Sequence, residues 1–133
     1  MVLVDTSVWV RSFMNRIPWA TDLRILLNLD AVAGHDLVHG ELLAGDRGGR
    51  RDFLSSYDRM PRAPLITHSE VVALVRVRKL HGRGAGWVDM QLLASALAGH
   101  MQFWTADNAL AEMADELGIA YQSGRRGLRL LPK

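Results

Sequence analysis

MVLVDTSVWV, residues 1–10, decides the fold: a short apolar run, Val2 to Val4, stops on a carboxylate, Asp5, followed by two hydroxyls, Thr6 and Ser7. Apolar residues then resume at helical spacing as Val8, Trp9, Val10 and Phe13, so the stretch reads as a buried strand passing into a helix. In open parallel α/β sheets, ligands bind beside the carboxyl ends of the strands. Asp5 stands at such an end, and the rest of the chain is read for carboxylates that converge on it.

Downstream the chain keeps alternating. A helix opened by Pro18 carries Ala20, Leu23 and Leu27 on one side and Thr21, Asp22, Arg24 and Asn28 on the other. Ala31 to Gly34 is a strand candidate, and Asp36 is placed to cap a helix through Leu37, Val38, Leu42 and Leu43 that stops near Gly45. A helix over 50–59 ends at Pro61, Pro64 to Ile66 is extended, and Thr67 with Glu70 has capping-box spacing ahead of a helix to about Leu80. WVDMQLLASALA, residues 87–98, is apolar on nearly every side and reads as the central helix. Gln102 to Thr105 and Ile119 to Tyr121 read as strands around a helix over 107–117 closed by Gly118, and Leu128 to Leu131 offers a last strand. This β-then-α order predicts an α/β fold of three layers, α/β/α, around a mostly parallel central sheet of about four or five strands.

A chain of 133 residues is expected to form a single domain, 1–133, with one core. Cysteine is absent, which excludes a disulfide framework and any thiolate-ligated zinc or iron–sulfur site. No basic leader precedes an apolar segment, and no apolar run approaches the roughly 20 residues of a membrane span. A soluble, cytoplasmic protein is expected. Sixteen Lys and Arg against fourteen Asp and Glu give a formal charge of only +2. Bulk charge is thus a weak argument for nucleic acid, although the cations cluster at Arg47, Arg50 and Arg51, at Arg76, Arg78, Lys79 and Arg83, and at Arg125, Arg126 and Arg129.

Three further acids stand where structural logic does not want them. Glu41 follows Leu37 and Val38 and precedes Ala44 at helical spacing, so it is expected on the apolar stripe. Asp89 shares a face with Leu92, Leu93 and Ala96, and Asp107 follows the apolar FWT as Asp5 follows VLV. Three of the four acids have an ordinary structural reading, Asp5 and Asp107 as helix caps and Glu41 as an arginine partner; Asp89 is the hardest to explain that way, because its helix offers no exposed face. Together they describe an oxygen-only ligand set, because buried carboxylates repel one another unless a cation compensates. Such a set suits Mg2+ or Mn2+, and that chemistry polarises a phosphodiester, activates water and stabilises the leaving oxygen. Asp22, Asp30, Asp52, Asp58, Asp115 and Glu116 fall on polar faces or turns and read as solvated.

Four motifs in order, VLVDTS, GELLAG, GRGAGWVDMQLLASAL and FWTADNALAEMADELG, resemble the PIN-domain nucleases, and in particular the VapC toxins of bacterial type II toxin–antitoxin pairs. The resemblance spans nearly the whole chain. It implies a PIN-like fold and a metal-dependent endoribonuclease in which Asp5, Glu41, Asp89 and Asp107 match the acidic quartet that binds Mg2+ or Mn2+. Thr6 or Ser7 matches the small hydroxyl residue beside the first acid, and Thr105 the polar residue before the last. The resemblance further implies an RNA substrate (tRNA, rRNA or mRNA), products with a 5′-phosphate and a 3′-hydroxyl, a VapB-like antitoxin whose carboxyl-terminal segment enters the active-site groove, and a homodimer.

The weaker signals have plainer readings. The arginine clusters could guide a phosphate backbone, but a charge run is ordinarily a solvated face. Trp9, Trp87 and Trp104 lie in apolar runs and are expected in the core, leaving Trp19 as the exposed tryptophan. His35 and His39 have the spacing of two metal ligands but lack a third, so they read as structural. A phosphate-receiver domain should carry adjacent acids after its first strand and a late lysine; here Thr6 follows Asp5, and no lysine lies between Lys79 and Lys133. A haloacid-dehalogenase-like phosphatase needs an Asp where Ser7 stands. A non-catalytic RNA-binding or protein-interaction module on the same fold is the remaining alternative, separable by metal-dependent cleavage.

Overall fold

The computed structural model describes residues 1–123. In chain order its elements are β1 (Val2–Val4), α1 (Thr6–Phe13), α2 (Trp19–Asn28), β2 (Val32–Ala33), α3 (Asp36–Ala44), α4 (Arg51–Asp58), α5 (His68–Val77), α6 (Trp87–Ala98), β3 (Gln102–Trp104) and α7 (Asn108–Glu116). The strands run parallel in the order β2-β1-β3, with Val2 opposite both Val32 and Gln102. Val2, Leu3 and Val4 are all fully buried. Successive strand side chains point to opposite faces, so an unbroken apolar run means that both faces of β1 are covered.

This topology explains why Asp5 matters. The chain leaves β1 through α1 and α2 to reach β2 on one side, then returns through α3 to α6 to reach β3 on the other. The carboxyl end of β1 is therefore the switch point of the sheet, where an open crevice forms. The Asp5 amide donates to the Trp104 carbonyl at 2.8 Å, which extends the β1–β3 ladder by one residue and brings the ends of both strands together.

Several expectations need correction. Among the described residues the sheet has three strands rather than four or five. Ile119–Tyr121 does lie along β3, with the Phe103 amide on the Ile119 carbonyl at 2.7 Å and the Tyr121 amide on the Phe103 carbonyl at 2.9 Å, but it makes only one bridge, at Ala120. The strand expected at Leu128 to Leu131 falls outside the described residues. On the far edge the bridge is Gly34 to Arg62, so the extended contact precedes the Pro64 to Ile66 stretch. His35, not Asp36, caps α3: its Nδ1 accepts from the Leu37 amide at 3.0 Å. Helix α5 starts as expected, with the Thr67 hydroxyl oxygen 3.4 Å from the Glu70 amide. It stops three residues early at Val77, because Lys79 turns left-handed at φ 55° and the Leu80 amide closes back on the Val75 carbonyl at 2.9 Å.

One apolar cluster joins the sheet to the helices. Trp9 is its largest fully buried side chain, ringed by Phe13, Phe53 and Tyr57 at centroid distances of 6.4, 5.1 and 5.7 Å. Trp104 is buried as expected, but the other two tryptophans exchange roles. Trp19 packs against the core beneath the Arg11 guanidinium, whereas Trp87, in the first turn of α6, is 41% exposed and leans on His68. No helix among the described residues is long and apolar enough to cross a membrane.

Candidate active site

Asp5 occupies the N-cap position of α1 but makes no side-chain cap hydrogen bond. Its carboxylate is used differently. Oδ2 accepts from the Ser7 hydroxyl at 2.7 Å and from the Thr105 hydroxyl at 2.8 Å. Each hydroxyl has a single proton, and backbone amides decide where it points. The Ala106 amide donates to Ser7 Oγ at 3.0 Å and the Asp107 amide to Thr105 Oγ1 at 3.1 Å, so both hydroxyls turn their own protons to Asp5. The loop after β3 thus holds a nearly buried carboxylate in one orientation, and Oδ1 accepts no hydrogen bond among the described residues.

Thr6 and Ser7 are adjacent, yet they serve different acids. Thr6 Oγ1 donates to Glu41 Oε1 at 2.6 Å, tying α1 to α3. Glu41 is exposed, contrary to the expectation that it joins the apolar stripe. Counting along α3 put it beside Leu37 and Val38; the open side of α3, where Thr6 waits, is set by the packing of α1 and not by α3's own pattern.

Asp89 lies in the first turn of α6 and accepts from the Gly86 amide at 3.1 Å. Burial raises its pKa above the usual carboxylate value; the Gly86 hydrogen bond opposes that, and the charges of Asp5 and Asp107 push it further up. Three of the expected acids therefore lie within one another's electrostatic reach. Asp107 fulfils the ordinary reading as well: its Oδ1 caps α7 by accepting from the Leu110 amide at 3.0 Å. Among the described residues no three His, Asp or Glu side chains stand close enough to grip one ion directly. An oxygen-only set centred on Asp5 and Asp89 nevertheless fits a hard divalent cation, because Mg2+ takes few protein carboxylates and keeps waters or phosphate oxygens for its other positions.

The raised pKa of Asp89 carries a stability consequence. A carboxyl that ionises less readily in the folded state binds more protons folded than unfolded, so stability falls as pH rises from the unfolded value, 3.8, through the higher folded value. Asp89→Asn keeps an acceptor for the Gly86 amide and removes that loss. Its melting temperature in chelator is expected to exceed wild type at pH 7 and to converge with it as pH falls towards 4, checked by calorimetry across pH. An equal or lower melting temperature at pH 7 contradicts this.

Elsewhere the structure sorts the remaining candidates. His35 is buried with Nε2 2.9 Å from Ser95 Oγ, and His39 Nε2 is 3.4 Å from Asp58, so neither histidine joins the carboxylates. Arg83 grips Glu116, with Nη1 3.0 Å from Oε1, instead of standing free for phosphate. Asp22, expected in solvent, is buried, and its charge joins burial in pushing the Tyr121 phenol up to about 12. Sequence reasoning passed over Arg11, whose guanidinium donates to the Ser7 carbonyl at 3.1 Å and braces the residue that orients Asp5. Its spacing of four from Ser7 was the available signal.

A family model described as PIN domain matches residues 2–116. Two curated relatives, both named Ribonuclease VapC32 and belonging to Mycobacterium tuberculosis strains CDC 1551 / Oshkosh and ATCC 25618 / H37Rv, are each 41% identical over 123 residues. Each alignment spans 90% of this chain and 95% of the relative.

Proposed function

Because the chain belongs to the PIN-domain family, as a ribonuclease of the VapC type, we propose that it is the toxin of a type II toxin–antitoxin system and cuts RNA as a Mg2+- or Mn2+-dependent endoribonuclease. The observation that carries the reading is the placement of Asp5: a nearly buried carboxylate at the switch point of the sheet, aimed by two hydroxyls, with Asp89 and Asp107 in electrostatic reach.

Asp5, Glu41 and Asp89 would hold the principal ion, through an intervening water where a carboxylate stands too far off to ligate directly, and Asp107 would support it with the oxygen its helix cap leaves over. When bound, such an ion supplies Lewis-acid polarisation of the phosphodiester, acidifies a water and stabilises the departing oxygen. The chain's own side chains do the rest. Ser7 and Thr105 keep Asp5 in one rotamer, Thr6 fixes Glu41, and the Gly86 amide fixes Asp89, so the carboxylates lose little entropy on meeting the substrate. The reading includes 5′-phosphate and 3′-hydroxyl products, a structured or single-stranded RNA substrate, a VapB-like antitoxin, a homodimer, and action in the cytoplasm.

The purified protein is expected to cleave RNA with Mg2+ or Mn2+ and to stop when the ion is chelated. Cleavage at an undiminished rate in chelator overturns the metal site. No cleavage of any RNA under any divalent ion, with RNA binding intact, instead makes the protein a non-catalytic module on this fold.

A further inference from the structure

Thr6, Val10 and Phe13 follow one another along α1 at i, i+4 and i+7, and so share a face. That face and the facing sides of α3 and α4 enclose a cavity of about 380 Å³, counting the space at its open mouth. Val10, Phe13 and Phe53 give it an apolar lining, and Thr6, Glu41 and Arg50 stand at its polar edge. It is therefore continuous with the carboxylate centre through the Thr6–Glu41 hydrogen bond. A few placed polar groups around an apolar concavity are the ordinary make-up of a small-ligand site.

Two features select the occupant. The Arg50 guanidinium lies 3.7 Å from the centre of the Phe13 ring, which holds a flat cationic surface at the edge of the cavity. Arg47, Arg50 and Arg51, gathered at this end of α4, form no ion pair among the described residues, so their charge is available to a polyanion. The other acid on the lining, Asp46, is engaged by its own turn, with Oδ1 accepting from the Gly48 amide at 3.0 Å.

We propose that this cavity is a nucleobase subsite: an unstacked base of single-stranded RNA, next to the phosphate at the carboxylates, enters it with the Arg50 plane as one wall. The inference rests on the nuclease reading above and adds the element that chooses which nucleotides flank the cut. Base stacking gives the affinity, and flanking arginines hold the backbone.

The test is the affinity of a short, fluorescently labelled single-stranded RNA of mixed sequence for the non-cleaving Asp5→Asn protein carrying further substitutions. Val10 is 43% exposed, so Val10→Met lengthens the side chain into the cavity without disturbing the core or offering a ring. Val10→Met and Arg50→Ala are each expected to weaken binding about tenfold, with melting temperatures unchanged. Arg50→Lys, which restores the charge but not the plane, is expected to stay weak. Unchanged affinity in Val10→Met overturns the subsite, and assigns the cavity to a protein segment if inhibition by the antitoxin is lost instead. Full recovery by Arg50→Lys overturns it too, since charge alone is then sufficient. A wild-type protein that cuts no RNA refutes the nuclease reading, whereas wild-type cleavage with unaltered variants refutes the subsite alone.

Discussion

Asp5→Asn is expected to lower divalent-metal-dependent RNA cleavage by about a thousandfold or more while the protein stays folded. An ion at the reacting phosphate contributes several kcal/mol of transition-state charge stabilisation, and each ~1.4 kcal/mol is a factor of ten in rate. The substitution keeps the shape of the side chain, and its amide oxygen still accepts from the Ser7 and Thr105 hydroxyls that now meet at Oδ2. What is lost is the charge, and the free oxygen is replaced by an NH2 group that cannot ligate a cation. The check is kcat/KM on RNA with Mg2+, alongside thermal unfolding. A decrease of less than tenfold in a folded variant would remove Asp5 from the centre.

The largest stability effect is expected at Trp9→Ala. Trp9 is 2% exposed and touches three other rings, so truncation leaves a cavity that its neighbours cannot close. Losses of this kind run to about 3–5 kcal/mol, against a total of about 5–15 kcal/mol for a domain. A fall in melting temperature of roughly 10–20 °C follows for a chain of this length. Trp9→Phe should cost much less, because it keeps a ring in place and removes the Nε1 donor, which is buried with no hydrogen-bond partner among the described residues. Urea titration of both variants decides this; equal midpoints for wild type and Trp9→Ala would mean that the aromatic cluster is not the keystone of the core. Phe13 and Phe53 belong to the same cluster and line the cavity beside Glu41, so the core and the proposed subsite share their framework.

What could be read from the chain followed from local pattern. The apolar run closing on Asp5 marked both the central strand and the carboxylate at its end. The all-round apolar character of residues 87–98 marked the helix that packs on β1 and β3. The errors share a different physics. Asp22 was grouped with Thr21, Arg24 and Asn28 as a solvated side, although its neighbours one turn away, Trp19, Ile25 and Leu26, are apolar; it is buried, close enough to Tyr121, far away in sequence, for its charge to act on the phenol. Trp87 looked buried because its neighbours are apolar, but a residue in a helix's first turn can stand outside the core that its successors enter. Glu41 was placed inward by counting along one helix, whereas Thr6 on another helix fixes it. His35 displaced Asp36 as the cap of α3 because the turn from β2 into the helix brings the imidazole, and not the better capping residue, to the Leu37 amide. The stretch Ile119 to Tyr121 belongs here too, since its single bridge at Ala120 depends on how far the chain runs alongside β3.

The hydrogen bond from Thr105 to Asp5 joins positions 100 apart in sequence. Synthesis on the ribosome proceeds from the amino end at about 5–20 residues per second, so Asp5 emerges many seconds before the hydroxyl that aims it. Through that interval the nascent chain has β1 without its β3 partner, and its acids are strangers to one another. On the function proposed above, the carboxylate centre is therefore incomplete until the late strand has docked beside the first.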